Sequence, residues 1–486
     1  MSVDSLQPAV HQATIDDRQQ WDKSCRTPVL FLFLSSLFWL IVGSTLALLA
    51  SLKMHMPEFL TDWSFLTFGR VRPAHLNTVA YGWATMSGVG VAFWMMCRLS
   101  HRPLVAPFLA NLGTLIWNVG VAVGTVGILI GNSTSIEWLE FPKSAPPILA
   151  CGLLMMSLVM LLTFFGRRER HVYVTQWYII GAVVWMPALY VIATILCVYL
   201  PAKGVIQSTV NWWYAHNVLG LWMTPIGIGA AYYLIPKVIG RPVHSYRLSL
   251  IGFWTLALFY SWAGMHHLIG GPIPAWLITA STVASIMMFI PVIAVAINHH
   301  LTMRGHFKEL RYSPTLRFVV FGAMAYTAVS FQGSIEALRS FNVLVHFTHY
   351  TVAHAHLGLY GFFTMTMFGA GYYIIPRLTG RQWQMTWLIK AHFWLTAGGI
   401  TLYFVALTIG GLYQGNALLN PSIKFIRVVI DTLPYLELRS YAGIAMTLGH
   451  LIFALLVCMN VVGFGRPLPP PQNSTTSPDS KEFGTP

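Results

Sequence analysis

HYTVAHAHLGLYG, residues 349–361, sets His354 and His356 two positions apart near the start of an apolar run that reads as a helix over 349–376. A helix turns by roughly 100° per residue, so the two imidazoles point about 200° apart, to nearly opposite sides. They cannot bind one metal ion. They can serve two, one on either side of the helix.

The surroundings make this helix a membrane span. Of 486 residues, 56% are hydrophobic and only 9% charged. A soluble domain carries roughly 25% charged residues. Apolar runs long enough to cross a bilayer recur from end to end. Twelve spans are expected, over roughly 29–52, 74–97, 104–130, 146–166, 174–200, 209–236, 248–268, 274–298, 316–338, 349–376, 385–410 and 438–464. The expected organisation is a polar N-terminal segment (1–28), an all-α twelve-helix membrane domain (29–464) and a Pro/Ser/Thr-rich tail (465–486) that reads as disordered. No short-period repeat stands out. The N-terminus is polar for nearly thirty residues, so no cleavable signal peptide is expected.

Orientation follows from the basic residues. With the N-terminus in the cytoplasm, 20 of the 29 Lys and Arg fall on the inner side. Both ends then lie inside, and the formal charge of +14 needs no nucleic acid to explain it. The five cysteines are scattered, with no CxxC and no CxxCH, so neither a thiol metal site nor an attached c-type haem is implied. Among the outer cations, Arg72 lies three residues before His75 and Arg439 opens the last span. Each reads either as a snorkelling anchor or as a partner for an anionic cofactor group such as a haem propionate.

Depth singles out six of the eighteen histidines. His75, His216, the pair His266–His267, and His354 with His356 come from four helices, yet all fall in the outer third of the bilayer. Ionisable groups at such depth are costly and usually functional. Imidazole suits copper and iron. His75 can pair with one histidine of helix 10 as a six-coordinate, bis-His iron. The other is left as the single axial ligand of a second iron with an open side. His216, His266 and His267 supply three nitrogens that suit copper. An adjacent pair on a regular helix splays by about 100°. The pair therefore needs a distorted helix end, which Gly264 permits. Tyr260 lies seven residues before His267, on nearly the same face and about 10 Å deeper. It is either a core tyrosine or a phenol able to donate a proton and an electron to bound oxygen.

Five strings make the sequence resemble a known family: FGRVRPAHLNTVA around His75, WWYAHNVLG around His216, SYRLSL early in helix 7, YSWAGMHHL around Tyr260, and HYTVAHAHLGLYG. They resemble subunit I of the C-type (cbb3-type) cytochrome c oxidases, of the haem–copper superfamily, from about residue 68 to 462. The resemblance implies a twelve-helix haem–copper oxidase bundle in the bacterial inner membrane. It implies reduction of O2 to water coupled to proton translocation. It assigns His75 and His356 to a low-spin haem b, His354 to a high-spin haem b, and His216, His266 and His267 to one copper ion. Tyr260 matches the tyrosine covalently joined to the helix-6 copper ligand, here His216. Tyr232, Ser249 and Tyr326 match a proton path from the cytoplasm, with Tyr233 the alternative in a slipped register. Glu137 and Glu140 resemble the acids that help hold calcium near the haem propionates, or are simply surface acids. Electrons are expected from cytochrome c through membrane-anchored c-type cytochrome subunits, because this chain lacks the motifs to hold such groups.

The sequence also departs from the family. Gln332 (FQG) stands where the family has a glutamate that hydrogen-bonds the proximal histidine, and Met265 where it commonly has proline. A neutral amide leaves the imidazole less electron-rich. Glu336 lies one turn outward on the same face, in position to compensate. A nitric oxide reductase would need a carboxylate near the third metal, yet NVLGLW after His216 has none. A proton-relay transporter would show repeat-related broken helices.

Overall fold

The computed structural model describes residues 14–469, and these form twelve helical rods. They are α1 (Ile15–Lys53), α2 (Phe68–Leu99), α3 (Pro107–Leu129), α4 (Ala145–Phe165), α5 (Val174–Tyr199), α6 (Val205–Ile239), α7 (Tyr246–Leu268), α8 (Ala275–Met303), α9 (Pro314–Glu336), α10 (His349–Thr379), α11 (Thr386–Leu418) and α12 (Phe425–Val461). Ten are long and apolar enough to cross a membrane by length and composition alone. The other two are α2 and α10, which bear His75 and the His354/His356 pair. Both are rich in glycine, threonine and aromatic residues, and their inner halves are buried on every side. A helix that never faces lipid does not need an aliphatic surface.

α6 shares this central position, with residues 220–236 buried throughout. The three central helices repeat one design. GVAFWMMCR (90–98), GAAYYLIPK (229–237) and GAGYYIIPR (369–377) recur about every 140 residues, one four-helix period, each ending on a basic residue. A π-helical segment interrupts each: Thr78–Ala84, Val218–Met223 and Leu357–Thr364. Such segments re-aim side chains and concentrate at functional sites. They fall just after His75, His216 and His356. At matching positions, His101, Gly240 and Gly380 take the left-handed conformation that closes each helix. The sequence reading looked for short periods and did not find this long one.

Helix ends differ from expectation where helices leave the bilayer. α1 begins at Ile15 rather than near residue 29. Thr14 and Asp17 form a capping box, and Asp22 pairs with Arg98 of α2. Only its polar composition hid this part of the helix. α12 begins at Phe425 rather than near residue 438, with Arg427 and Asp431 paired at 2.9 Å on its exposed extension. Hydropathy marks the edge of the bilayer, not the end of the helix. At the other end, Pro467 bridges to Arg381. The rest of the tail read as disordered lies outside the described residues.

Close helix contacts rest on small residues. A methyl group on Gly152 of α4 would lie 2.8 Å from the carbonyl oxygen of Gly113 and 3.0 Å from the backbone nitrogen of Trp117, whereas one on Gly398 of α11 would meet nothing within 4 Å. Gly152→Ala is therefore expected to destabilise the protein by about 1–3 kcal/mol through overpacking. Gly398→Ala is expected to leave stability unchanged or slightly raised. Thermal unfolding in detergent compares the two.

Candidate metal centre

α7 ends in a 3-10 turn, Gly264–Leu268, which carries His266 and His267. This is the distortion the adjacent pair required. Gly264 makes it possible, because a side chain there would run into the Trp212 carbonyl oxygen at 2.6 Å and His216 Cβ at 3.0 Å. The turn therefore seats directly against α6. One ligand atom from each of His216, His266 and His267 lies within 4.8 Å of the others. Among the described residues no carboxylate joins this group. The donor set is three imidazoles, which fits copper better than a hard ion.

Neighbouring groups fix two of the rings. The His267 ring stacks on Trp212, with centroids 4.2 Å apart. His266 Nδ1 lies 2.7 Å from Ser285 Oγ. Ser285 spends its own proton on the Ser281 carbonyl, so it accepts from His266, and Nε2 of that ring is left as the donor atom. His216 Nδ1 is buried without a hydrogen-bond partner. An orphaned nitrogen on a ring packed beside two other imidazoles fits a metal ligand. Ser281, Ser285 and Trp212 were not foreseen, since the serines lie on α8 and no local pattern links them to the histidines.

Tyr260 packs on His216, with ring centroids 4.6 Å apart and planes at 36°. Gly220, four residues after His216, supplies the space: a methyl group there would lie 1.7 Å from the tyrosine ring. WWYAHNVLG contained this signal, one helical turn past the histidine.

On α10 the two histidines face different surroundings. His354 lies within electrostatic reach of His216, His266 and His267. His356 lies within reach of His75, Arg439 and Arg72. His75 Nδ1 donates to the Gly43 carbonyl at 2.9 Å, and His356 Nδ1 to the Val352 carbonyl at 2.9 Å. A carbonyl only accepts, so both rings carry the Nδ1 proton and keep an Nε2 lone pair. Tyr403 hydroxyl approaches His356 Nε2 at 3.2 Å. This tautomer fits two axial ligands of one haem iron.

Behind His354, the Gln332 amide is buried and closes no hydrogen bond. Glu336 Oε2 stands 3.8 Å from His354 Nδ1. At the His75 end of α2, Arg72 pairs with Glu137 at 3.1 Å and approaches Glu140 at 3.7 Å. Glu140 also accepts from Asn77 Nδ2 at 2.8 Å. Arg439 donates to Met54 Sδ at 2.7 Å and lies 5.7 Å above the Tyr403 ring, next to His356.

The inward-leading residues are partly joined. Tyr232 hydroxyl meets Asn298 Nδ2 at 3.3 Å, and its ring lies 4.6 Å from His299. Tyr326 lies within electrostatic reach of both Tyr232 and Tyr260. Ser249 is buried and donates to its own helix at Tyr246. Tyr233 instead packs on Trp94 of α2, so Tyr232 is the tyrosine facing this cluster. Asn298 and His299 were missed, although INHH is a polar interruption in an otherwise apolar span.

A family model described as "Cytochrome C and Quinol oxidase polypeptide I" matches residues 27–445. A protein of Azorhizobium caulinodans described as "Cytochrome c oxidase subunit 1 homolog" is 32% identical over 466 residues, covering 92% of this chain and 84% of the relative. The "Cbb3-type cytochrome c oxidase subunit CcoN1" of Stutzerimonas stutzeri is 31% identical over 384 residues, covering 78% and 81%. Among solved structures, a heme-copper terminal oxidase dimer aligns with a TM-score of 0.74 at 14% identity, covering 91% of this chain and 85% of that one. It shares the fold.

Glu140 lies in the outer loop before α4, where burial pushes its carboxyl up to about 7 from an ordinary 4.5, against the pull of Asn77 and Arg72. A raised carboxyl pKa favours the folded state when protonated. Without a bound cation, this contribution is expected to be full below pH 4.5 and lost as pH rises through about 7. Glu140→Gln should flatten that part of the pH profile of thermal stability, and an unchanged profile would contradict it.

Proposed function

The chain belongs to the cytochrome c and quinol oxidase polypeptide I family, and from that premise we propose that it is the catalytic subunit of a bacterial inner-membrane terminal oxidase. It reduces O2 to water with electrons from cytochrome c, coupled to proton translocation. The observation that carries this reading is the division on α10: His354 faces the three-histidine cluster and His356 faces His75. One helix would thus serve two cofactor sites.

His75 and His356 would hold a low-spin haem b, His354 a high-spin haem b, and His216, His266 and His267 a single copper ion. When bound, these groups supply electron transfer and the redox chemistry of oxygen reduction. The chain supplies the rest. The Gly43 and Val352 carbonyls hold protons on the Nδ1 atoms of His75 and His356, and Ser285 does so for His266. Tyr260 keeps a transferable proton at its hydroxyl beside His216, in the space that Gly220 leaves open. Tyr232, Ser249 and Tyr326, together with Asn298, carry protons inward from the cytoplasm towards Tyr260. Arg72 and Arg439 hold haem propionates at the outer mouth. Glu137 and Glu140 would hold calcium there, since carboxylates suit that hard ion. Both termini face the cytoplasm. Membrane-anchored c-type cytochrome subunits deliver the electrons, as this chain has neither CxxCH nor a copper-binding cysteine pair.

Metal analysis of the purified complex, corrected for the haem of partner subunits, should give two irons and one copper per chain. Three irons without copper would instead indicate a nitric oxide reductase. Tyr260→Phe is expected to abolish oxygen consumption while both haem spectra persist; full activity would remove Tyr260 from the mechanism. His75→Ala should erase the bis-His low-spin spectrum and leave the high-spin signal. A spectrum that does not change would refute the assignment.

A further inference from the structure

We propose that Glu336 is the positioning residue for His354, doing through a carboxylate what Gln332 cannot do through an amide. The inference rests on the reading that His354 holds the high-spin haem.

His354 has no hydrogen bond to hold its ring on the side towards α9. Its Nδ1 is buried with no hydrogen bond. The ring lies against α9 at Gly333, where a methyl group would come within 2.7 Å of Cε1. That close approach seats the imidazole against α9. Two side chains of α9 are then candidates to receive Nδ1. Gln332 is buried, but neither amide atom closes a hydrogen bond. Glu336, one turn outward and only 7% exposed, places Oε2 3.8 Å from Nδ1.

The Glu336 side chain is fixed in place. Thr351 Oγ1 donates to Oε1 at 2.8 Å, and Thr351 lies three residues before His354 on α10. Asn342 Nδ2 donates to the Glu336 backbone carbonyl at 3.1 Å. Threonine therefore occupies one carboxylate oxygen and leaves the other for the histidine. Across this contact His346 and Tyr350 are the other ionisable groups within electrostatic reach of Glu336.

When Nε2 is occupied by a metal, Nδ1 must carry the ring proton and becomes a donor. A separation of 3.8 Å exceeds a hydrogen bond by roughly 1 Å, a movement within the reach of a glutamate side chain. A carboxylate acceptor makes the imidazole a stronger donor to iron than an amide would, and so favours the oxidised metal.

The test is resonance Raman spectroscopy of the iron–histidine stretch in the reduced complex, with the midpoint potential of the high-spin haem. His354→Ala comes first: the band should vanish, and if it persists the reading of His354 itself is wrong. With that control in hand, Glu336→Gln should lower the stretching frequency and raise the potential while haem content is retained. Gln332→Ala should move neither. The proposal is overturned if Glu336→Gln leaves both values unchanged, or if Gln332→Ala produces the shift instead. Should Glu336→Gln fail to assemble, Thr351→Val keeps the carboxylate but frees it. A shifted or broadened band is then expected, and an unaltered one overturns the proposal.

Discussion

An imidazole enclosed in a membrane bundle has two nitrogens to satisfy and no water with which to do it. The arrangement of this protein's centre follows from how that demand is met. For His75, His356 and His266, a backbone carbonyl or a committed serine takes the Nδ1 proton and turns Nε2 into a lone-pair donor. His216 Nδ1 has no such partner, and the ring sits among the other two imidazoles of the cluster. The rings are thus set in tautomer and direction by the protein alone, which lowers the ordering cost of taking up a metal.

That arrangement requires unusually close backbones. α2, α6 and α10 are buried all round, and small residues let side chains of one helix fill the space over another. Gly220 admits Tyr260, and Gly333 supports His354. The π segments serve the same end, because each interrupts its helix within a few residues of a ligand candidate. Recurrence of one sequence pattern in the three helices explains why His75, His216, His354 and His356 each sit just before a π segment. Each repeat closes with the same left-handed turn.

Charge is distributed so that the buried cluster contains no carboxylate, while acids stand one step removed. Glu336 lies behind His354, pinned by Thr351. Glu137 and Glu140 lie above the His75 side, paired with Arg72. Acids at that distance adjust the ligands without competing for the metal. Arg439 and Tyr403 form the outer cover of His356.

The amino-acid sequence by itself determined the all-helical bundle, the grouping of His216 with His266 and His267, the different surroundings of His354 and His356, and the need for a distorted turn at Gly264. These depend on hydropathy and helical periodicity, which are local properties. It did not determine which nitrogen of each ring is free, because the acceptors come from distant segments: Gly43 for His75, Ser285 for His266. Nor did it reveal that α1 and α12 continue beyond the bilayer, since a polar helix in water and a polar loop have the same composition. The choice between Gln332 and Glu336 shows the limit most clearly. Both lie on one face of α9, one turn apart, and periodicity treats them alike. Only the packing of α10 against that face, with the ring on Gly333 and Thr351 holding the carboxylate, turns His354 towards Glu336.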